Sequence, residues 1–481
     1  MNENDHRTKN IFIMKNQKST FALYFGNRGF FPESLIAIAR KEVSETLKKL
    51  GYESLVMDGN LTRYGAIETT EEGRKYAKFL SDNHGKYDGV ILVLPNFGDE
   101  NGAAAALQDA GVPIYILAYP DDLDKMDFQQ RRDAFCGKFS IMDVFYQYRI
   151  PFTVFPPHTL HPFSEEFKKQ IGTFDKVCKI VNGMKRMTVG AIGARTTAFK
   201  TVRFDELTLQ KYGITTEALD MSEVFSRVRN LDINSTAAKE KAERLKNYTN
   251  FEKVPEKAFN NLVCFGVVID EIINEYSLDT LALRCWIEME KDFGVAPCVL
   301  LSEINDRGIP AACELDICNA VTMYALKLAS DEPATCLDWN NNYGDDPDKC
   351  ILFHCGPVPQ SLMTAKGEVI EHPMFAKSFG AGCGFGCNVG RIAPTKLTFS
   401  SSKTTDGKLH VYMGEGQFTS DPIQEGFFGC GGVVKIDHLQ EKLYNIGYNG
   451  YRHHVSVAPG HFANSLREAC THYLGYEITE I

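Results

Sequence analysis

Gly89-Val90-Ile91-Leu92-Val93-Leu94, Pro95-Asn96-Phe97-Gly98-Asp99-Glu100-Asn101-Gly102, an alanine-rich run to Leu107, and Pro113-Ile114-Tyr115-Ile116-Leu117-Ala118 together decide the fold. The two apolar runs are short and show no polar alternation, which suits strands buried on both faces. The alanine-rich segment between them reads as a connecting helix, so the unit is βαβ in an open parallel sheet. Upstream, Thr20–Tyr24 is strand-like, and Glu33–Leu50 has helical periodicity with a charged face.

A second such unit starts near Met187. Thr188–Ile192 reads as a strand and Gly193-Ala194-Arg195-Thr196 as its loop. Residues 236–247 and 276–291 read as amphipathic helices, and Val295–Leu300 as a buried strand. Between the units, residues 151–162 carry Pro151, Pro156, Pro157 and Pro162, the composition of a connection. From about residue 380 glycine and short β-type runs take over: Lys396–Ser400, Leu409–Met413 and Gly429–Val434, closed by an amphipathic helix near His461–Leu474. The expected class is α/β, with two doubly wound parallel-sheet domains followed by a β-rich, antiparallel barrel-like domain. The boundaries are 1–170 for the first α/β domain, 171–335 for the second and 336–481 for the β-rich domain. No repeat at solenoid period is visible.

The chain has 481 residues, 44% hydrophobic and 24% charged, as in ordinary globular proteins. No apolar run is long enough for a membrane helix, and the polar Met1–Arg7 stretch has no apolar signal core, so the expected compartment is the cytoplasm. There the fourteen cysteines are expected to be reduced and mostly buried. A net charge of −10 without a basic cluster argues against nucleic acid as a partner.

The chemistry concentrates in a carboxylate pair and a distant histidine pair. Glu314 lies in Ala311-Ala312-Cys313-Glu314-Leu315-Asp316, and Asp338 in Cys336-Leu337-Asp338-Trp339-Asn340-Asn341-Asn342. Acidic groups with apolar flanks are costly to bury unless a cation meets them. A helix from about Asp316 to Leu328, then a turn and a short strand, fills the gap and lets both carboxylates converge. A purely structural alternative has Glu314 capping that helix and Asp338 starting an Asx-turn. Two carboxylates and an imidazole suit a hard or borderline divalent cation such as manganese or magnesium.

His453 and His454 supply imidazoles, and in an extended stretch at most one of them faces a given metal. His354, in Phe353-His354-Cys355-Gly356, is a further ligand or a pocket-lining group. Trp339 and Asn340, beside Asp338, are candidate substrate contacts, as are Arg28, Arg195 and Arg452 in or beside loops. Cys383-Gly384-Phe385-Gly386-Cys387 has no partner pair at zinc-finger spacing and reads as a glycine-rich turn with buried thiols. Gly429-Cys430-Gly431-Gly432 lacks the lysine of a phosphate loop, and Gly190-Ala191-Ile192-Gly193 is only faintly nucleotide-like.

Ala312-Cys313-Glu314-Leu315-Asp316, Leu337-Asp338-Trp339-Asn340, Phe353-His354-Cys355-Gly356, and His453-His454-Val455-Ser456-Val457 with Gly460-His461 resemble the L-fucose and L-arabinose isomerase superfamily. The similarity is greatest to the fucose isomerase-like branch that includes sulfoquinovose isomerases, and it runs over nearly the whole chain. The resemblance implies that Glu314 and Asp338 are catalytic and metal-binding, with His454 as the metal-binding histidine. It implies Mn2+, with Mg2+ or Co2+ as substitutes. It also implies a homo-oligomer, a hexamer with shared sites in which the Arg28 loop serves a neighbour. The reaction so implied is aldose–ketose isomerisation of an open-chain sugar of fucose or arabinose type through an enediol. The alternative is sulfoquinovose isomerase, converting a 6-sulfonated hexose to 6-sulfofructose. Readings from other classes are a non-catalytic sugar-binding protein and a metal-dependent hydrolase.

Overall fold

Four parallel strands, β1 (Thr20–Phe25), β2 (Glu53–Val56), β3 (Gly89–Leu94) and β4 (Ile114–Ala118), form a sheet in the order β2-β1-β3-β4. The protein is described by a computed structural model covering residues 18–481, so the Met1–Arg7 stretch lies outside the described residues. β3 is buried along its whole length, as its unbroken apolar run requires. Helices Ser34–Lys49, Thr70–Asp82, Glu100–Leu107 and Ala134–Tyr148 accompany this sheet. Asp99 ends the loop after β3 as a helix cap, its side chain accepting from Gly102 N at 2.7 Å. Gly137 is obligatory on steric grounds: a Cβ there would stand 1.8 Å from Phe97 O.

The second sheet repeats the topology with β5 (Thr188–Ile192), β6 (Thr215–Leu219), β7 (Thr280–Leu283) and β8 (Ala311–Ala312), in the order β6-β5-β7-β8, all parallel. Two readings of this region need correction. The helix expected over 276–291 is instead Glu256–Glu275, followed by β7; Thr280–Leu283 is a short apolar run that periodicity alone cannot assign. Val295–Leu300 is not a strand. Pro297 ends it, and helix Cys298–Asp306 begins there, buried on nearly every side.

The remaining sheet is built from β9 (Thr335–Asn342), β10 (Lys349–His354), β11 (Glu368–Glu371), β12 (Phe385–Arg391), β13 (Thr395–Thr405), β14 (Lys408–Phe418), β15 (Cys430–Lys435), β16 (His454–Pro459) and β17 (Glu477–Ile478). Its order is β11-β12-β15-β10-β9-β16-β13-β14-β17, and β14 also pairs with β15. That pairing closes β15-β10-β9-β16-β13-β14 into a six-stranded antiparallel barrel. Leu337, Leu352, Phe399, Tyr412, Val434, Val455 and Val457 belong to its core. β12 and β17 join by parallel pairs, which makes the full sheet mixed.

The described residues divide into two compact units. One runs to Asn182 and includes Asn464–Gly475; the other holds Gly183–Ala463 and Tyr476–Ile481. No helix among the described residues is long and apolar enough to cross a membrane. All fourteen cysteines are unpaired, and only Cys136 is exposed.

One buried acid makes the second α/β domain pH-sensitive. Glu290 is 1% exposed, and neither carboxylate oxygen has a hydrogen-bond partner beyond its own backbone. Burial pushes its pKa up from 4.5 to about 8. Between those values the folded chain holds a proton that the unfolded chain releases. Stability is therefore highest below the unfolded value and falls as pH rises toward 8. Glu290→Gln keeps the size and removes the ionisation. It should raise the unfolding temperature at pH 8, where the relief is on the order of 3–5 kcal/mol, and change it little at pH 5. Equal shifts at both pH values would refute this assignment.

Candidate active site

The barrel register, not chain proximity, brings the second carboxylate to the histidine. β9 and β16 are antiparallel neighbours, and Asp338 lies directly opposite His454. Directly opposed residues share a face, so both side chains leave the barrel on its outer side while Leu337 and Val455 point inward. Glu314 arrives from the other structure. It sits in the loop after β8, at the carboxyl end of the second parallel sheet, where ligands bind in open α/β folds. Glu314 and Leu315 both have left-handed backbones, φ 60° and 59°. Non-glycine residues in that region cost on the order of 1–3 kcal/mol each and mark sites where position outweighs strain.

His454 Nε2 lies 3.0 Å from Glu314 Oε2 and 3.4 Å from Asp338 Oδ1. On its other side, His454 Nδ1 is 2.8 Å from Asp316 Oδ2. Asp316 caps helix Ile317–Ser330 by accepting from Asn319 N at 3.1 Å, accepts from Asn319 Nδ2 at 2.6 Å, and is ion-paired with the buried Arg452 guanidinium. Ser456 donates to Asn319 Oδ1 at 2.8 Å and fastens that helix to β16. The helix cap is thus Asp316, and Glu314 is left free of a capping role.

Electrostatics follow from this crowding. Burial opposes ionisation of Glu314, but contact with His454 and the neighbouring His354 and His453 outweigh it and hold its carboxyl below the usual range. Burial also opposes protonation of His454. Asp316, Glu314 and Asp338 reverse the sign and push it up to about 10. Asp316 is buried too, and Arg452 and His454 keep it well below the usual carboxylate range.

Glu314 Oε2, Asp338 Oδ1 and His454 Nε2 are buried and have no hydrogen-bond partner beyond one another. Such atoms are rare because each carries a desolvation cost of about 1–3 kcal/mol. Glu314 Oε2 and Asp338 Oδ1 both approach His454 Nε2, so oxygen and nitrogen donors of the kind a divalent cation takes meet at that ring. Among the described residues two groups have ligand atoms close enough to share an ion: Glu314, His354 and His454, and Asp338, His453 and His454. Oxygen donors with imidazole nitrogen match manganese or magnesium better than a soft metal.

The expectation that only one of the adjacent histidines faces the site needs correction. β16 begins at His454, and His453 stands in the bend before it, outside the strand alternation. Its Nε2 is 3.7 Å from Asp338 Oδ1. His354 ends β10 with its ring centroid 6.0 Å from that of His454, and its Nδ1 accepts from Cys355 N at 2.9 Å.

Other candidates are placed elsewhere. Trp339 follows Asp338 in the strand, so it turns inward and packs edge-on against Phe399 at 5.6 Å, away from the carboxylates. Asn340 is exposed, lies at the register shift between Trp339 and Asn341, and bonds Asn341. Arg452 is consumed by Asp316 and is no free substrate contact. Arg195 folds onto its own loop, donating to Thr196 O at 3.0 Å and Thr197 O at 3.1 Å. Arg28 belongs to the first unit, where it donates to Gly98 O at 2.8 Å, pairs with Glu100 and lies over Phe97. Sequence reasoning missed Asp316 as a partner of the histidine. It also missed Phe199 and Trp286, whose rings flank the site: Phe199 is 6.0 Å from His454 and 5.1 Å from Trp286. The spacing of Asp316 ahead of Asn319, a cap signal, was the trace available for the first.

Two family models match the chain: the N-terminal domain of fucose/sulfoquinovose isomerase over residues 22–185, and the L-fucose isomerase C-terminal domain over residues 352–481. The second segment contains His354, Arg452 and His454; Glu314 and Asp338 fall between the two. A Priestia megaterium protein named sulfoquinovose isomerase is 23% identical over 446 residues, 90% of this chain and 95% of that protein. One of the same name from Alkalicoccus urumqiensis is 23% identical over 395 residues, 81% and 85% of the two chains. Another from Clostridium sp. is 25% identical over 311 residues, 63% and 67%.

Proposed function

The chain belongs to the L-fucose isomerase-like family of aldose–ketose isomerases, and from that premise we propose a metal-dependent isomerisation at the Glu314–Asp338–His454 cluster. The observation that carries this reading is the approach of two buried carboxylate oxygens to one imidazole nitrogen, the three atoms having no hydrogen-bond partner beyond one another. Glu314, Asp338 and His454 would hold Mn2+, with Mg2+ or Co2+ as substitutes. When bound, the cation polarises the sugar carbonyl and stabilises negative charge on its oxygens. The chain's own groups move the protons. One carboxylate, Glu314 or Asp338, takes the proton from C2 of the open-chain aldose, and the same or the other group delivers it to C1, passing through an enediol while the hydroxyl proton moves from O2 to O1. Glu314 is held ionised, as a base must be. Phe199, backed by Trp286, sets an apolar ring beside His454 on one side.

The substrate is an open-chain sugar. A neutral aldose of fucose or arabinose type suits a site whose adjacent guanidinium, Arg452, is taken by Asp316. A 6-sulfonated hexose is the second reading, favoured by the printed names of the relatives. A sulfonate needs a guanidinium at the far end of the chain, and Arg28 is the candidate. A homo-oligomer, a hexamer in the full form of the proposal, is supported by exposed apolar groups on the first unit: Leu123 at 92%, Phe128 at 80% and Tyr146 at 81%. A reducing, cytoplasmic setting fits fourteen unpaired thiols.

The test is turnover of L-fucose, D-arabinose, L-arabinose, D-glucose and sulfoquinovose at one concentration, with native mass spectrometry of the same preparation. A ketose product is expected from at least one sugar. Best turnover of sulfoquinovose, weakening as salt screens charge over about 8–10 Å, would replace the neutral reading by the sulfosugar one. No ketose from any aldose would sink the isomerase reading for these sugars, and a monomer would sink the oligomer.

A further inference from the structure

We propose that the chain sets opposite ring-proton positions on its two buried site histidines, so that His454 is a metal ligand and His354 a hydrogen-bond donor to substrate. The inference rests on the metal-dependent reading above and divides roles within it.

A neutral imidazole carries one N–H and one lone pair, and the partner of one nitrogen decides the state of the other. His454 Nδ1 faces Asp316 Oδ2 at 2.8 Å. A carboxylate accepts only, so Nδ1 keeps its proton on Asp316, and it is Nε2, between Glu314 and Asp338, that gives up its proton to a cation and then offers its lone pair. This carboxylate–histidine pairing is the arrangement that orients metal ligands and raises their basicity. Asp316 is itself immobilised by Arg452, by Asn319 N and by Asn319 Nδ2.

His354 is arranged the other way. Its Nδ1 accepts from the Cys355 backbone N–H at 2.9 Å. A peptide N–H donates only, so in the neutral ring the proton sits on Nε2. An Nε2 that carries a proton has no lone pair for a cation. It can donate to a sugar oxygen or to a carboxylate of the site. Distance alone does not separate the two rings, since each has a ligand atom in reach of Glu314; their partners do. Asp316 is in these terms a positioning residue acting through His454, and Arg452 holds Asp316.

The experiment is a Mn2+ titration by calorimetry of four chains: wild type, Asp316→Asn/Arg452→Met, Arg452→Met and His354→Gln. The double variant avoids leaving the buried guanidinium unpaired, which alone is strongly destabilising. It should bind Mn2+ about 10–100-fold more weakly, the usual cost of losing such an outer partner. Arg452→Met leaves Asp316 buried without its cation, which costs stability, but Asn319 N and Nδ2 still hold the acceptor, so Mn2+ affinity of the folded chain should fall less than in the double variant. A role in packing alone would make those two variants lose affinity alike. His354→Gln should bind Mn2+ within about twofold of wild type while turnover falls. Loss of Mn2+ affinity in His354→Gln, or full affinity in a folded double variant, overturns the assignment. If the double variant does not fold, the His354→Gln titration decides by itself. A wild-type chain that binds no Mn2+ fails the underlying metal reading instead, and the two failures are distinguishable.

Discussion

Stripping divalent cations from the protein is expected to abolish ketose formation, and Mn2+ is expected to restore it best, with Co2+ and Mg2+ partial. The reason is electrostatic. Glu314, Asp316 and Asp338 crowd one imidazole, and the chain's own counter-charge, Arg452, is consumed by Asp316. His454 is pushed up to about 10 under these conditions, so cation binding must displace a proton. Apparent Mn2+ affinity should therefore rise with pH across the neutral range, and calorimetry in buffers of different ionisation enthalpy should detect the released proton. Irving–Williams ordering favours Co2+ over Mn2+ in raw affinity, so best restoration by Mn2+ would reflect geometry and oxygen ligation. Full activity in a sample shown to be metal-free by elemental analysis would end the mechanism.

The second large effect is expected from the carboxylates. Glu314→Gln and Asp338→Asn keep shape and remove charge. Each should lower kcat by about 10²-fold or more at saturating Mn2+, since proton transfer by a placed side chain contributes at least that much. The fold should survive both changes, because Asp338 is part-exposed and a glutamine at 314 keeps the size and an oxygen that can still accept from His454 Nε2. Glu314 carries the greater conformational commitment, with two successive left-handed residues at its loop. Leu315→Gly should relax that strain and stay folded, which separates the role of the loop from the role of the carboxylate. A Glu314→Gln or Asp338→Asn chain that binds Mn2+ and keeps most of its kcat would remove that residue from the chemistry.

The parallel-sheet domains were legible because their strands are continuous apolar runs: Gly89–Leu94 and Thr188–Ile192 coincide with β3 and β5. Where runs were short and buried on all sides, local pattern failed. Thr280–Leu283 and Cys298–Asp306 exchange the expected helix and strand, since a fully buried segment has no polar face to reveal its period. The barrel strands were seen singly. Their closure depends on the β14–β15 pairing, a contact between segments that no local signal links.

For the site, the chain by itself determined which residue types are available and their apolar setting: Glu314, Asp338, His354 and His454 all stood out. What only the tertiary structure decided is how they face one another. Register sets Asp338 opposite His454 and turns Trp339 into the barrel. A helix cap, Asp316, becomes the partner of a histidine far along the chain and takes Arg452 with it. Side-chain identity is a local property, but the direction of a side chain in a sheet alternates with every residue, so one position of register decides whether a group enters the core or the site.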